Sequence, residues 1–572
     1  MNSPALVVRN SGASRFADDS PLDPIFQRIL LARGVTSTKE IDYQLANMLS
    51  LEVIRHLPEA AQLVARCITQ QHSILIFGDY DADGATSTAL CVKALKLMGH
   101  ERVDYLMPDR FVNGYGLSLS IARRIVAIKP DCVITVDNGI ASHDGIKLLR
   151  DNHIEVIVTD HHLPAEQLPD ASVIVNQNAW DDITEGRNLA GVGVAFYLML
   201  AVRRTLRQQG WFQAPRVEPN LAVCLDLVAI GTVADLVPLD YHNRILVNEG
   251  LKRIRSGACA QGLKALIEIS NKHLDNFTST DIAFSVAPRI NAAGRLDDMT
   301  IGVQCLLADD PGQALAFANE LHDINQLRKD LQQQMALEAQ QKLKSLDQQV
   351  LDSQLTIVLY QADWHEGIVG IVASKLKEKY RRPCIVFAEA ENGELKGSGR
   401  SIAGIHLRDM LDVVDKRNPG AILKFGGQAM AAGLSLKTDC LQAFTQGFEQ
   451  VIDELVDPAC FNTDIECDGE LKPDCFNLEF ANALQNLGPW GQRFPMPSFV
   501  GDFEVLSQRV LAEKHIKLTL KAFDQTAIDA IAFFQPEAVL RQTHERVRIH
   551  YELSVNRFRN IDSPQFLIRD FV

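Results

Sequence analysis

Four short apolar runs recur along the early part of this chain with helix-length segments between them, and that rhythm leaves few folds open. The runs are Ile74–Phe77, 131–136 (DCVITV), 154–159 (IEVIVT) and 172–175 (SVIV). Each is too short for a helix and is apolar at nearly every position, as a strand buried on both faces must be. Strands of this kind alternating with helices make an α/β fold around a parallel sheet covered on both sides. Such a sheet places its chemistry just beyond the carboxyl ends of its strands.

Those ends are rich in chemistry. The first run leads into Asp79, Asp81 and Asp83, then Gly84 and the helical pattern Ala89–Met98. Three carboxylates so close repel one another unless a positive charge sits among them, and a divalent metal fills that role. An Asp-rich turn capping the next helix would use the same residue types. The second run ends at Val136-Asp137-Asn138-Gly139, and the third at Thr159-Asp160-His161-His162. Singly these read as a turn and as loop histidines. Together they bring acids and imidazoles to one sheet edge, which a shared metal site explains. Further on, 189–206 is helical, its Gly-Val-Gly-Val start permitting close packing. Residues 225–240 (LDLVAIGTVADLVPLD) form a buried helix-like run expected to break at Gly231. Asp235, beyond the break, is placed to turn toward the site, while Asp226 suits a cap or an internal hydrogen bond. Aspartate oxygens and imidazole nitrogens suit Mg²⁺ or Mn²⁺, and no cysteine cluster offers a zinc–thiolate site.

At 572 residues the chain should hold about two to four domains. Its net charge of −15 supplies no global basic field, so a nucleic-acid partner would need a local basic groove. The 11 cysteines are scattered and form no CxxC pair, which reads as reduced thiols in a cytoplasmic protein. Neither a basic-apolar leader nor a run of about 18 apolar residues is present, so no membrane association is expected.

Residues 1–69 read as a preamble with helical patches such as 52–69. At 286–296, VAPRINAAGRL has Pro288 and Gly294 shaping a tight backbone framed by Arg289 and Arg295, whose guanidinium forks match phosphate oxygens. One long helix spans 311–346. A second α/β unit begins at 356 and carries two glycine-rich stretches, 397–401 (GSGRS) and Gly426-Gly427, read as loops that let Ser398 and Arg400 hold a phosphate. Beyond 461, β-type runs near 499–506, 515–520, 526–534 and 547–555 suggest a small barrel or sandwich. Trp490, Phe494, Phe499, Phe533 and Phe534 would fill its core or stack on bases.

In that order, GDYDADG (78–84), VDNG (136–139), TDHH (159–162) and GTVAD (231–235) resemble the DHH phosphoesterase superfamily. APRINAAGRL (287–296), WHEGIVGI (364–371), GSGRS (397–401), KFGGQAMAAGL (424–434) and GPWGQ (488–492) narrow the resemblance to RecJ-like single-strand-specific 5′→3′ DNA exonucleases of recombination and repair. The resemblance implies a DHH catalytic domain (70–310), a connecting helix (311–346), a DHHA1 domain (347–458) and an OB-like nucleic-acid-binding barrel (459–572). It implies two Mg²⁺ or Mn²⁺ ions on Asp79, Asp81, Asp83, Asp137, His161 and Asp235, with Asp137 bridging. Asp81, Asp137, His161 and His162 then carry catalysis, His162 near the scissile phosphate. Arg110, Arg289, Arg295, Ser398, Arg400 and Gln428 are the implied DNA contacts. Gln428 replaces the family's usual histidine and cannot titrate as imidazole does. After GPWGQ, Arg493 and Met496 also depart from the pattern. A monomer is implied, with single-stranded DNA, single-strand-binding protein and recombination or repair helicases as partners. Two other readings use the same motifs: a pyrophosphatase or short-oligonucleotide phosphoesterase, and a catalytically silent DNA-binding scaffold.

Overall fold

The apolar runs fold into one parallel sheet. Strands β1 (Ile74–Phe77), β2 (Val103–Leu106), β3 (Cys132–Val136), β4 (Glu155–Thr159) and β5 (Val173–Val175) lie in the order β2-β1-β3-β4-β5, every neighbouring pair parallel. β2 was not expected from the sequence. It is an edge strand whose VDYL is only partly buried, so it lacks the continuous apolar character of its neighbours. The chain leaves β1 on one side for β2 and returns on the other for β3. That reversal opens a crevice at the carboxyl ends of β1 and β3.

This computed structural model describes residues 6–10, 16, 21–110, 116–344, 354–390, 393–461, 464–535, 537–543, 545–558 and 561–572. The larger of two compact units comprises residues 7–322 and 466–572; the smaller is built on 323–465.

In the larger unit, α1 (Ala82–Leu97), α2 (Gly191–Gln208) and α3 (Leu225–Ala234) pack around the sheet. The expected break at Gly231 is absent, because α3 runs through it. A Cβ there would lie 2.3 Å from Thr86 Oγ1 and 2.7 Å from Asp83 Oδ1, so the glycine serves close packing rather than a turn. Asp226 is an internal hydrogen-bonding group, accepting from the N–H of Leu227 and Ala260 (2.9 and 2.8 Å). The stretch expected as a tight backbone is helix α4 (Ala287–Leu296), entered directly from a π-helical turn over Ile282–Val286, with Pro288 near its start. The long helix α5 is continuous over Pro311–Lys344, and positions 345 and 346 of the expected span lie outside the described residues.

The smaller unit holds strands β6 (Ile357–Tyr360), β7 (Cys384–Glu389), β8 (Glu394–Arg400), β9 (Ile422–Gly427) and β10 (Ala431–Lys437) in the order β9-β10-β8-β7-β6. The glycine-rich stretches expected as loops are mostly strand. Gly397 is needed in β8 because a Cβ would meet the ring of Phe387 at 2.3 Å.

Residues 499–571 close into the expected barrel. Its strands are β11 (Phe499–Leu511), β12 (His515–Lys521), β13 (Ala527–Ala532), β14 (Arg546–Phe558) and β15 (Ile561–Phe571), ordered β11-β12-β13-β15-β14. β15 escaped the sequence reading because Pro564 and its polar neighbours mask it; Pro564 pairs with Val555 at the end of a hairpin. Trp490, Phe494 and Phe499 are buried, whereas Phe533 and Phe534 are 47% and 76% exposed. The 11 cysteines are all free. Among the described residues no helix is long and apolar enough to cross a membrane.

Candidate metal centre

The turn after β1 is built to hold three acids in different directions. Asp79 is buried. Asp81 caps α1, its Oδ1 accepting from the Gly84 N–H at 3.0 Å. Asp83 reaches across to the start of α2, where Oδ2 accepts from Gly191 N–H (2.7 Å) and Oδ1 from Val192 N–H (2.9 Å). The positive end of α2 thus fixes that carboxylate. Asn291 of α4 steadies the same turn, its Oδ1 accepting from the Ala82 N–H at 2.8 Å.

At the end of β3, Asp137 adopts φ +62, a left-handed backbone that few residues other than glycine take up. Asn138 ties this turn to the neighbouring strand end, donating from Nδ2 to Val136 O (2.9 Å) and Phe77 O (3.2 Å). After β4, Asp160 gathers the loop. Its Oδ2 accepts from Ile140 N–H (2.9 Å), and its Oδ1 from the backbone N–H groups of His161 (2.7 Å) and His162 (3.1 Å). Asn178 and Asn176 hold the carbonyls of His161 (2.6 Å) and His162 (2.9 Å).

These supports bring seven expected side chains together. Among the described residues, three groups have potential ligand atoms within 4.8 Å of one another: Asp79–Asp81–Asp137, Asp83–His161–Asp235 and Asp137–His161–His162. His161 Nε2 lies 3.1 Å from Asp137 Oδ1 and 3.4 Å from Asp235 Oδ2. Burial, reinforced by neighbouring carboxylates, pushes Asp79, Asp137 and Asp235 well above the usual carboxylate range and Asp83 to about 7. Burial and the charge of His162 lower His161 to about 3, leaving the neutral imidazole a metal requires. His162 is the reverse. Burial opposes its charge, but the bond to Asp160 lifts it to about 9. Among the described residues, Asp79 Oδ1 and His161 Nε2 are buried without a hydrogen-bond partner. Crowded acids, unmet buried ligand atoms and an oxygen–imidazole set fit a pair of hard divalent cations.

Among the other expected residues, Arg110 lies 5.0 Å over the ring of Tyr80, and the charge of Arg295 also reaches that tyrosine. Arg289 is buried and turned inward, donating to Ser285 O (2.6 Å) and His322 Nδ1 (3.2 Å). In the smaller unit, Arg400 donates to Ser398 Oγ at 2.9 Å. Gln428 is exposed at the turn between β9 and β10, its N–H donating to Ala431 O at 2.8 Å, and Ala431 pairs with Arg400. The sequence reading missed Asp160, Asn138 and Asn291 as supports. Asp160 carried a signal, since it stands at a strand end beside two histidines. Asn291 carried none, because its partner lies far away in the chain.

Family models match three regions: the DHH family N-terminal domain at residues 73–232, the DHHA1 domain at 350–454 and the RecJ OB domain at 467–570. The chain is 45% identical over 550 residues to the single-stranded-DNA-specific exonuclease RecJ of Escherichia coli (strain K12), covering 96% of this chain and 95% of that protein. It is similar to the crystal structure of RecJ in complex with Mn²⁺ from Thermus thermophilus, with a TM-score of 0.80 and 29% identity over 96% of this chain and 76% of that one. The Mg²⁺ complex from the same organism gives a TM-score of 0.74 with 28% identity, over 96% and 74% of the two chains.

Proposed function

This chain belongs to the RecJ family, and from that premise we propose that it is a Mg²⁺- or Mn²⁺-dependent exonuclease that removes nucleotides from the 5′ end of single-stranded DNA during recombination and repair. The observation that carries the reading is the shared position of Asp137, which belongs to a ligand group with Asp79 and Asp81 and to another with His161. One carboxylate between two groups suits a phosphodiester site with paired ions. Asp79, Asp81 and Asp137 would hold one ion, and Asp83, His161 and Asp235 the other, with Asp137 placed to serve both. When bound, the ions supply Lewis acidity at the phosphate and a water acidic enough to attack at neutral pH.

The protein's own groups do the rest. His162, kept protonated by Asp160, faces the phosphate oxygens as charge builds on them. Arg110 and Arg295, beside Tyr80, neutralise phosphates of the entering strand. Arg289, held inward by Ser285 and His322, braces α4 in this proposal and lends the site its positive charge only at longer range. Ser398, Arg400 and Gln428 offer a further phosphate grip, and the exposed Phe533 and Phe534 a surface for base stacking. Eleven free cysteines are in keeping with a reducing, cytoplasmic setting.

The test is nucleotide release from 5′-labelled single strands and matching duplexes with Mn²⁺ or Mg²⁺. Rapid release from single strands, slow release from duplex, and loss of cleavage but not of binding in Asp81→Ala are expected. No release with either ion would overturn the reading.

A further inference from the structure

Two exposed leucines each follow directly on a residue of the metal centre in the chain. Leu163 follows His162 and is 67% exposed; Leu236 follows Asp235 and is 64% exposed. Asp235 Oδ2 and His161 Nε2 are 3.4 Å apart, so the two loops that carry the leucines meet at the site. Their backbones are constrained. Leu236 sits at φ +60, just past the end of α3, in a left-handed position that helices normally give to glycine. A leucine there is strained, and its side chain gains no burial in return. Leu163 precedes Pro164, which confines it to extended backbone, and Asn176 and Asn178 pin the two carbonyls before it. Strain retained beside a reactive site points to a use for the side chain.

We propose that Leu163 and Leu236 form an apolar rim that packs against the base of the nucleotide whose phosphate sits at the metal centre. The proposal rests on the exonuclease reading above and names what that site touches beyond phosphate. Base faces are the largest apolar surface of a nucleotide, and every base has them. A rim of leucine therefore holds any terminal nucleotide without choosing its sequence. Both are positioning residues, because neither has a group that can enter the chemistry.

Steady-state kinetics of Leu236→Gly and Leu163→Ala, on single strands with an ordinary or an abasic 5′-terminal nucleotide, test this. Glycine suits the left-handed backbone, so Leu236→Gly should melt no lower than the parent. On the ordinary strand each variant should raise KM roughly 10-fold with kcat within about twofold. On the abasic strand the parent should already show the raised KM, and the variants should add nothing. An active parent with unchanged KM in both variants would overturn the proposal, as would an equal loss on the abasic strand, which would place the contact on the sugar. A parent that releases no nucleotide from any strand would overturn the exonuclease reading itself, and this inference with it.

Discussion

Asp160 Oδ1 lies 2.8 Å from His162 Nδ1, and each side chain keeps the other charged in a buried place. Burial opposes both charges, yet the pair holds Asp160 down at about 2 and His162 up at about 9. Asp160→Asn removes the charge; its single amide oxygen can keep the bonds from the His161 and His162 N–H groups, while the Ile140 N–H loses its acceptor. If His162 meets the phosphate as a cation, kcat/KM should fall by roughly 10²-fold or more. The alkaline limb of the pH–rate profile should also move down, from near 9 toward the ordinary imidazole range. An unmoved limb would mean that Asp160 orients the ring without setting its charge.

Chelation should make stability depend on pH. Asp83 titrates at about 7 in the folded protein, raised by burial and by Asp81. A raised carboxylate is most favourable while protonated, so its contribution is lost as pH climbs from the unfolded value, about 4, through 7. Protein treated with a chelator should therefore melt progressively lower from about pH 5 to about pH 8. A Mn²⁺ concentration ~100 times the dissociation constant at about pH 8 should restore about 2.7 kcal/mol there, and the same concentration much less at about pH 5, where protonated acids weaken binding. Equal melting temperatures with and without Mn²⁺ at the alkaline end of that range would count against a metal among these acids.

A buried ion pair ties the preamble to the segment leading into the barrel. Arg33 donates to both oxygens of Asp468 at 2.7 and 2.9 Å, Arg9 adds a bond at 3.0 Å, and the Ser498 N–H another at 3.0 Å. The side chains of Arg33 and Asp468 are each only 1% exposed. Asp468→Ala strands a buried guanidinium and should cost about 3–5 kcal/mol, read by denaturant unfolding. Replacing Arg33 and Asp468 together should cost less than the sum of the two single changes.

What the sequence made legible follows from range. Asp79, Asp137 and His161 stand at the ends of β1, β3 and β4, and the apolar runs announced both the strands and their ends. The edge strand Val103–Leu106 and the Pro564-bearing strand of the barrel were hidden, because partial burial removes the pattern that marks a strand. The supports were harder still. That Asp83 caps the helix beginning at Gly191, or that Asn291 holds Ala82, depends on packing between segments distant in the chain, which no local pattern records. Arg289 carries a related lesson. Its motif suggested a phosphate contact, but the fold also gives its guanidinium internal partners in Ser285 and His322.

Gly231 gives the sharpest test of how closely the centre is packed. The sequence suggested a helix break there, yet α3 continues through it and presses against Asp83 and Thr86. In Gly231→Ala the new methyl would sit 2.7 Å from Asp83 Oδ1 and 2.3 Å from Thr86 Oγ1, far inside contact distance. Alanine improves helix propensity by about 1 kcal/mol, so a purely local effect would stabilise the protein. Displacement of Asp83 should dominate instead. Because such supports tune a metal site strongly, Mn²⁺ affinity should drop by roughly 10- to 100-fold by calorimetry, with nuclease activity falling in parallel. A variant more stable than the parent, with unchanged Mn²⁺ affinity, would show that Asp83 can shift without consequence and would remove it from the ligand set.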